Sequence, residues 1–190
     1  MIAIDKMAVG GPPAEFNFER TGQGGAAEWT VVSDASADGG RAIEQTSTDR
    51  TDYRFPLAIY TPLTIKSGAV SVRFKATAGT VDQAGGIAMR LTDFNNYYVA
   101  RANALEDNVR FYRVVKGRRE QLESASLKVT ANVWHALAIK AEGDRFTVSY
   151  DAKPLFTASD ATFRDAGQVA LWTKSDSITR FDRIEIKEQP

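Results

Sequence analysis

Cysteine is absent from the 190 residues of this chain, and histidine occurs once, as His135. Without cysteine the protein has no disulfide, no thiolate nucleophile and no cysteine-ligated zinc. A single histidine also excludes a metal site built from several imidazoles. The lack of cysteine leaves the cellular compartment open, because such a chain is stable under reducing and oxidising conditions alike.

Net charge is absent as well, since 24 basic residues balance 24 acidic ones. A neutral chain gives no electrostatic reason to expect a nucleic acid or an anionic membrane surface as partner. No apolar run approaches the ~18 residues that cross a bilayer, so the chain is not expected to span one. The first residues, MIAIDKMAVGG, lack the basic and apolar regions of a signal peptide.

Short stretches of alternating apolar and polar residues dominate the sequence. In residues 69–76 (AVSVRFKA) the polar residues Ser71, Arg73 and Lys75 fall at every second position, which is typical of an antiparallel strand with one solvated face. Roughly a dozen such stretches are separated by turns, and no long segment has a helical period. The pattern predicts an all-β, two-sheet antiparallel sandwich of the jelly-roll type.

The domain boundaries follow from the same pattern. Residues 1–26 contain Gly10, Gly11, Pro12 and Pro13 and little periodicity, so we expect an irregular lead-in and an edge strand there. Residues 27–190 are expected to form the jelly-roll domain.

The stretch from Gly85 to Asn108 is predicted to form two adjacent strands with more large polar residues than a structural sheet needs. Sugars require flat apolar surfaces for their C–H faces and planar polar groups for their hydroxyls. Alternation along this stretch and later strands selects the candidate ligand residues Arg90, Tyr97, Arg101, Asn103, Tyr112, Trp172 and Lys174. The alternative is that these side chains form ordinary cross-strand pairs on a solvated sheet face.

A possible structural calcium site is the one cofactor that the sequence suggests. Asp34, Ser36 and Asp38, followed by Gly39, have the spacing that opens a calcium-binding loop. Gln45 stands where such a loop needs a bidentate acid. An Asp/Gly-rich turn without metal is therefore the alternative.

Hydrolysis would require two converging carboxylates, or one carboxylate with a metal. His135 is the candidate base, Asp93 and Asp176 are expected in loops, and the full set of candidate acids is Asp93, Glu106, Asp107, Asp176 and Asp182. The alternatives are structural, because acids in loops commonly form turns. His135 shares the parity of Leu137 and Ile139, which favours a packed histidine in the core or at its rim.

Several segments occur in a distinctive order: GGIAMRLTDFNNYYVARAN, FYRVVKGRREQL, VWHALAIKAEGDRFTVSYDAKPLF, ASDATFRDAGQVALWTKSDS and FDRIEI. Over residues 27–187 they resemble the concanavalin A-like (laminin-G-like) jelly rolls of bacterial proteins, and more closely the 3-keto-disaccharide hydrolase family. The resemblance implies a two-sheet jelly roll that binds a carbohydrate on its concave sheet. It also implies export by bacteria, and hence a secreted or periplasmic location.

The sequence departs from related hydrolases at one informative point. Laminarinase-type enzymes of the same fold place three acids as Glu-x-Asp-x-x-Glu, whereas the nearest match here is Glu142, Asp144 and Thr147. Without the third acid, endoglucanase activity of that type is not expected. Three functions stay open: a glycan-binding domain, a hydrolase or lyase of 3-keto-sugars, and a structural or interaction domain without a small ligand. The sequence favours no oligomeric state.

Overall fold

The computed structural model describes residues 1–189, which form fourteen β-strands. In chain order these are β1 (Phe16–Gly22), β2 (Trp29–Ser33), β3 (Arg41–Gln45), β4 (Arg54–Ile65), β5 (Gly68–Ala78), β6 (Ala84–Asp93), β7 (Asn96–Asn103), β8 (Asn108–Val115), β9 (Arg118–Ser126), β10 (His135–Glu142), β11 (Arg145–Tyr150), β12 (Lys153–Ser159), β13 (Gly167–Trp172) and β14 (Ile178–Glu188). Two three-residue 3₁₀ turns lie at Ile4–Lys6 and Asp38–Gly40. No helix within residues 1–189 has the length and apolarity that crossing a membrane requires.

The strands form two antiparallel sheets of seven strands each, which confirms the predicted all-β jelly-roll sandwich. The first sheet has the order β1-β4-β13-β6-β7-β8-β9, and the second has the order β12-β11-β10-β5-β14-β3-β2. Consecutive strands such as β4 and β5 lie in different sheets, and six of the twelve strand pairings, among them β1–β4 and β5–β14, join strands that are not consecutive in the chain.

The main hydrophobic core lies between the sheets. Val70, Val72 and Phe74 of β5 point into it, each at most 1% exposed, because every second side chain of a strand faces the same way. Ile2 and other apolar residues ahead of β1 are part of the same core, and the Ile2 N–H donates to the Ile184 carbonyl at 2.9 Å. The segment before β1 is therefore irregular but packed against the sandwich.

The first sheet is strongly curled. Tyr53, which directly precedes β4, lies five strand positions from β9, a separation of about 24 Å in a flat sheet. Its hydroxyl nevertheless donates to the Gly117 carbonyl at 2.9 Å and accepts from the Arg119 N–H at 3.2 Å. The Thr21 hydroxyl of β1 likewise lies 2.8 Å from the Tyr97 hydroxyl of β7. The outer face of the first sheet is therefore concave.

Candidate functional site

Strand register gathers an unusual row of side chains on the concave face. The residues in register across β4, β13, β6, β7 and β8 are Leu57, Trp172, Gly86, Arg101 and Arg110. Residues in register on adjacent antiparallel strands share a face, so an indole and two guanidiniums lie on the same side. Gly86 makes this possible, since a Cβ there would lie 3.2 Å from the Trp172 ring and 3.0 Å from the Arg101 Cβ.

The concave face carries a second apolar cluster, separate from the main core. Its members are Phe55, Leu57, Ile59, Ala84, Ala88, Leu91, Tyr97, Val99, Tyr112, Val114, Ala170 and Trp172. The Phe55 and Trp172 rings stack with centroids 5.4 Å apart, and Trp172 has no exposed surface. Burial also raises the pKa of Tyr97 to about 12. We call Phe55, Tyr112 and Trp172 the aromatic floor.

Arg119 lies across the aromatic floor. Its guanidinium carbon is 4.3 Å from the Phe55 ring centroid, 4.8 Å from that of Tyr112 and 5.8 Å from that of Trp172. These are cation–π distances, at which the ring faces attract the charge. Sequence reasoning missed Arg119. The sequence feature that could have placed Arg119 is the Lys116-Gly117 turn. This turn sets the register of the β8–β9 hairpin and so pairs Arg119 with Val114 of the concave face.

Arg101, Glu106 and Arg110 form the polar end of the concave face. Arg101 is 3% exposed and donates to the Glu106 carboxylate at 2.8 Å, to the Tyr112 hydroxyl at 3.3 Å and to the Asn108 amide oxygen. Arg110 lies 3.6 Å from the same carboxylate. Burial acts to raise the pKa of Tyr112, but the nearby Arg101 and Arg110 guanidiniums outweigh it and lower that pKa.

A second acid, Asp82, lies beside the polar end. It accepts a hydrogen bond from the Asn103 amide and pairs with the Lys174 ammonium at 2.5 Å. Lys174 also pairs with the exposed Asp52 at 2.8 Å. Burial raises the pKa of Asp82 in spite of this ammonium, and the Glu106 charge acts in the same direction. No sequence pattern identifies Asp82, because it lies in the connection before β6, outside any alternation.

The structure therefore brings six predicted ligand residues to the concave face or its rim. They are Tyr97, Arg101, Asn103, Tyr112, Trp172 and Lys174. Most are buried, with Arg101 and Asn103 at 3% and 1% exposure. These residues build the floor and the supporting network, and the side chains that retain exposed surface are Arg110, Glu106 and Asp52.

Arg90 does not belong to this group, which corrects its predicted place on the ligand face. A bulge after Met89 interrupts the alternation of β6, and Arg90 adopts a left-handed φ of 49°. Its guanidinium is buried and donates to the carbonyls of Lys66 at 2.9 Å, Phe163 at 2.8 Å and Gly143 at 2.5 Å. Arg90 thus ties three connections together at one end of the sandwich.

The two predicted catalytic acids lie apart from each other and have structural partners. Asp93 accepts hydrogen bonds from the Asn95 N–H at 2.7 Å and the Asn96 amide at 2.9 Å, within the β6–β7 hairpin. Asp176 accepts the consecutive backbone N–H groups of residues 80–82. Burial acts to raise the pKa of Asp176, but these hydrogen bonds outweigh it and lower that pKa. Asp176 thereby fixes the connection that carries Asp82.

His135 lies on the second sheet, away from the concave face. Its Nδ1 is 2.9 Å from the Asp151 carboxylate and its Nε2 is 3.1 Å from the Thr130 carbonyl. The ring stacks on Tyr150 with centroids 5.1 Å apart. Both ring nitrogens therefore have partners within the protein, as the packed-histidine interpretation expects.

The calcium candidates are paired with the cations of the protein itself. Asp34 lies 2.5 Å from the Lys75 ammonium and 3.0 Å from the Arg180 guanidinium. Although burial acts to raise its pKa, these partners hold the pKa of Asp34 well below its usual range. Asp38 pairs with Arg183 at 3.1 Å. Within residues 1–189, no three His, Cys, Asp or Glu side chains converge as a metal-ligand set. The ion pairs of Asp34 join the connection after β2 to β5 and β14.

Comparisons with known proteins agree on the fold. Residues 58–189 match the family model described as galactocerebrosidase, C-terminal lectin domain. A carbohydrate-binding module from Bacillus subtilis superposes with a TM-score of 0.71 at 20% identity, over 92% of this chain and 98% of that chain. A Bacillus licheniformis β-glucanase gives a TM-score of 0.62 at 12% identity, over 95% and 96% of the two chains. No curated protein sequence matches significantly. The shared fold is the concanavalin A-like jelly roll.

Proposed function

The chain belongs to the galactocerebrosidase C-terminal lectin domain family, and from this premise we propose that it binds a glycan on the concave face of the first sheet. The observation that carries the proposal is the exposed Glu106–Arg110 pair of the polar end, which borders the aromatic floor. The fold shared with a carbohydrate-binding module supports the same interpretation.

The chemistry of the face suits a sugar. Planar charged groups hydrogen-bond pairs of adjacent sugar hydroxyls, and the buried rings of the aromatic floor pack beneath these groups. Glu106 and Arg110 offer such groups, since their side chains are 37% and 36% exposed. Because Glu106 accepts from the buried Arg101 at 2.8 Å, its carboxylate is held in one orientation before a ligand arrives. Arg101 is therefore proposed as a positioning residue for Glu106.

A glycan array followed by calorimetry on the hits tests the proposal. Glu106→Gln and Arg110→Ala should each weaken binding about tenfold, since hydrogen bonds to charged groups are worth about 1.5–3 kcal/mol and 1.4 kcal/mol is a factor of ten. Lys140→Ala is the matched control, because Lys140 forms an exposed ion pair with Glu142 on the second sheet at 2.7 Å.

Binding that survives both concave-face variants would move the site elsewhere. An absence of binding across a broad panel would reject the proposal and favour an interaction domain without a small ligand.

Hydrolysis of 3-keto-sugars is a second candidate, and the two acids near the polar end favour it. Burial raises the pKa of Asp82. Burial acts to raise the pKa of Glu106 as well, but there the Arg101 charge outweighs it and lowers that pKa. Two carboxyls whose pKa values are pushed apart are the usual acid and base of glycoside cleavage.

Turnover of a 3-keto-glucoside by the purified chain tests this candidate. The reaction should disappear in Asp82→Asn and in Glu106→Gln, and it should persist in Asp93→Asn, which alters only a hairpin turn. An absence of product with the unmodified chain would leave the binding function alone.

We further propose that the protein acts outside the cytoplasm, as the resemblance to exported jelly rolls suggests. Immunodetection in fractionated cells of the native host should find the protein in the secreted or periplasmic fraction. Detection in the cytosol alone would overturn this location.

A further inference from the structure

We infer that the glycan recognised on this face is an acidic one, bound through an oxyanion at the β8–β9 hairpin. The inference rests on the proposed carbohydrate-binding function and specifies its ligand class. Three cationic residues carry it, namely Lys116, Arg118 and Arg119, which follow one another around the hairpin turn.

The first argument concerns the Arg119 guanidinium. Its Nε and Nη1 atoms are buried and have no hydrogen-bond acceptor within residues 1–189. No carboxylate of that range lies within ion-pair distance of Arg119, so the charge is held only by the faces of three aromatic rings. Desolvated donors without an acceptor and a cation without an acid both cost free energy. A bound anion beside Arg119 would offset the cost of its unpaired charge.

The second argument is the cavity beside this residue. A cavity of about 520 Å³ is lined by Arg113, Val115, Lys116, Arg118, Arg119 and Glu120. This volume is within the range of small-molecule sites, about 300–1,000 Å³. Arg113 and Glu120 pair with each other at 2.8 Å. The charges of Lys116, Arg118 and Arg119 have no such pair in the described chain, and the cavity is therefore net positive.

Arg119 lines this cavity and also covers the aromatic floor. The other β8 and β9 residues of the lining alternate with Arg119, so the cavity lies around the tip and outer edge of the hairpin. A ligand that reaches from the concave face to the cavity needs a sugar ring with an attached oxyanion. Uronic carboxylates and sulfate esters share that chemistry, and both accept charge-assisted hydrogen bonds from guanidinium. The inferred ligand class is thus a uronate-containing or sulfated glycan, in which the acidic group lies at the hairpin.

Calorimetry with matched oligosaccharides tests the inference on the full chain. The probes are galacturonate, 6-sulfated galactose and neutral galactose oligomers of equal length, each measured at low and at physiological salt. We expect at least one acidic probe to bind ten or more times more tightly than the neutral one. Whichever of the uronate and the sulfate binds more tightly identifies the source of the oxyanion.

The variants separate a specific site from general attraction to positive charge. Arg119→Met keeps an unbranched side chain over the floor and should lose at least tenfold in affinity for the acidic probe. The double variant Lys116→Gln/Arg118→Gln leaves the floor untouched and should lose severalfold even if Arg119→Met does not fold. Lys140→Met removes the same charge from the second sheet and should change affinity less than twofold.

The outcomes distinguish this inference from the proposed function beneath it. Equal or tighter binding of the neutral oligomer would overturn the acidic-ligand inference and leave carbohydrate binding in place. Equal losses in Lys140→Met and the hairpin variants would also overturn it, since net charge alone would then explain the affinity. An absence of binding by any probe, or by any glycan of a broad array, would overturn both.

Discussion

The outer faces of the two sheets both carry charged residues and a tryptophan, but the two faces differ in how these charges are paired. On the second sheet the central cations have acids close by: Arg73 pairs with Asp182 at 2.5 Å, and Lys75 and Arg180 share Asp34. On the first sheet an apolar cluster lies under the charges, and Lys116, Arg118 and Arg119 of the β8–β9 hairpin have no acid within ion-pair distance among the described residues.

The two tryptophans show the same contrast. Trp134 on the second sheet is partly exposed and lies over Arg73 and Lys75, with its ring centroid 5.1 and 4.9 Å from their charges. Trp172 on the first sheet is wholly buried beneath Arg119. A face whose charges are neutralised internally has little left for a ligand, whereas the concave face keeps uncompensated charge above a buried apolar cluster.

The largest expected effect separates these tryptophans. Trp172→Ala should lower the free energy of unfolding by about 3–5 kcal/mol, because it empties a packed site against Phe55. Trp134→Ala should cost about 1 kcal/mol, since it removes a partly exposed ring and one hydrogen bond to Ser36. Urea unfolding measures both, and similar losses would break the contrast between the faces.

Replacing an acidic residue should likewise cost more stability on the second sheet than on the concave face. Asp34→Asn should cost about 2–3 kcal/mol at neutral pH, less than the 3–5 kcal/mol of a fully buried pair because Arg180 retains some exposure. Glu106→Gln should cost about 1 kcal/mol or less, because its carboxylate is more exposed.

The pH dependence of stability follows from the lowered pKa of Asp34. A carboxyl whose folded pKa lies below its unfolded value of about 4 stabilises the protein fully above that value. This contribution is lost as pH falls toward the folded pKa. Unfolding curves between pH 6 and 2 should therefore be flatter for Asp34→Asn, and an unchanged acid slope would contradict the role given to Asp34.

A smaller effect should test the packing of the concave face. Gly86→Ala should cost about 1–2 kcal/mol, because the new methyl group would lie 2.7 Å from the Ala100 carbonyl oxygen. Gly11→Ala is the matched control, since its Cβ would meet nothing closer than the Ala8 carbonyl at 3.5 Å. A thermal melt of each variant measures the difference. An unchanged melting temperature for Gly86→Ala would mean that the residues in register with Gly86 shift easily to admit the methyl group.

The smallest effect concerns the Tyr97 hydroxyl. Tyr97→Phe should cost about 1 kcal/mol through loss of the hydrogen bond to Thr21. Burial raises the pKa of Tyr97 to about 12, so its contribution is complete below the unfolded value of about 10 and is lost as pH rises through 12. Alkaline unfolding followed by circular dichroism should show a shallower loss in Tyr97→Phe. If the unmodified chain and Tyr97→Phe lose stability equally at alkaline pH, the Tyr97 hydroxyl is in contact with solvent.

Alternation of residue types was enough to predict the sandwich, since period-two patterns such as 69–76 reflect one buried and one solvated face. It also placed Tyr112 and Trp172 on one surface, because strands keep their parity when their register is regular. Alternation failed at Arg90, where a bulge adds residues to one strand and reverses the parity that follows.

Asp82 and Arg119 were missed for a different physical reason. Their roles depend on contacts between distant segments, since Asp82 meets Lys174 and Arg119 meets Phe55. Such contacts arise from the curl of the first sheet and from loops held by residues such as Asp176. No local pattern encodes either, whereas the three-dimensional arrangement makes both plain.

The curl of the first sheet also affects the order in which the protein folds. The Tyr53 hydroxyl joins positions 64 residues apart, and Trp172 comes from β13, long after Phe55 has been made. Closing such long loops is entropically slow, and topologies rich in distant contacts fold slowly. We expect Phe55 and Tyr112 to stay accessible to solvent through synthesis and early folding, until the last strands arrive. The change in Trp172 fluorescence should then report the final step of folding, the one that completes the concave face.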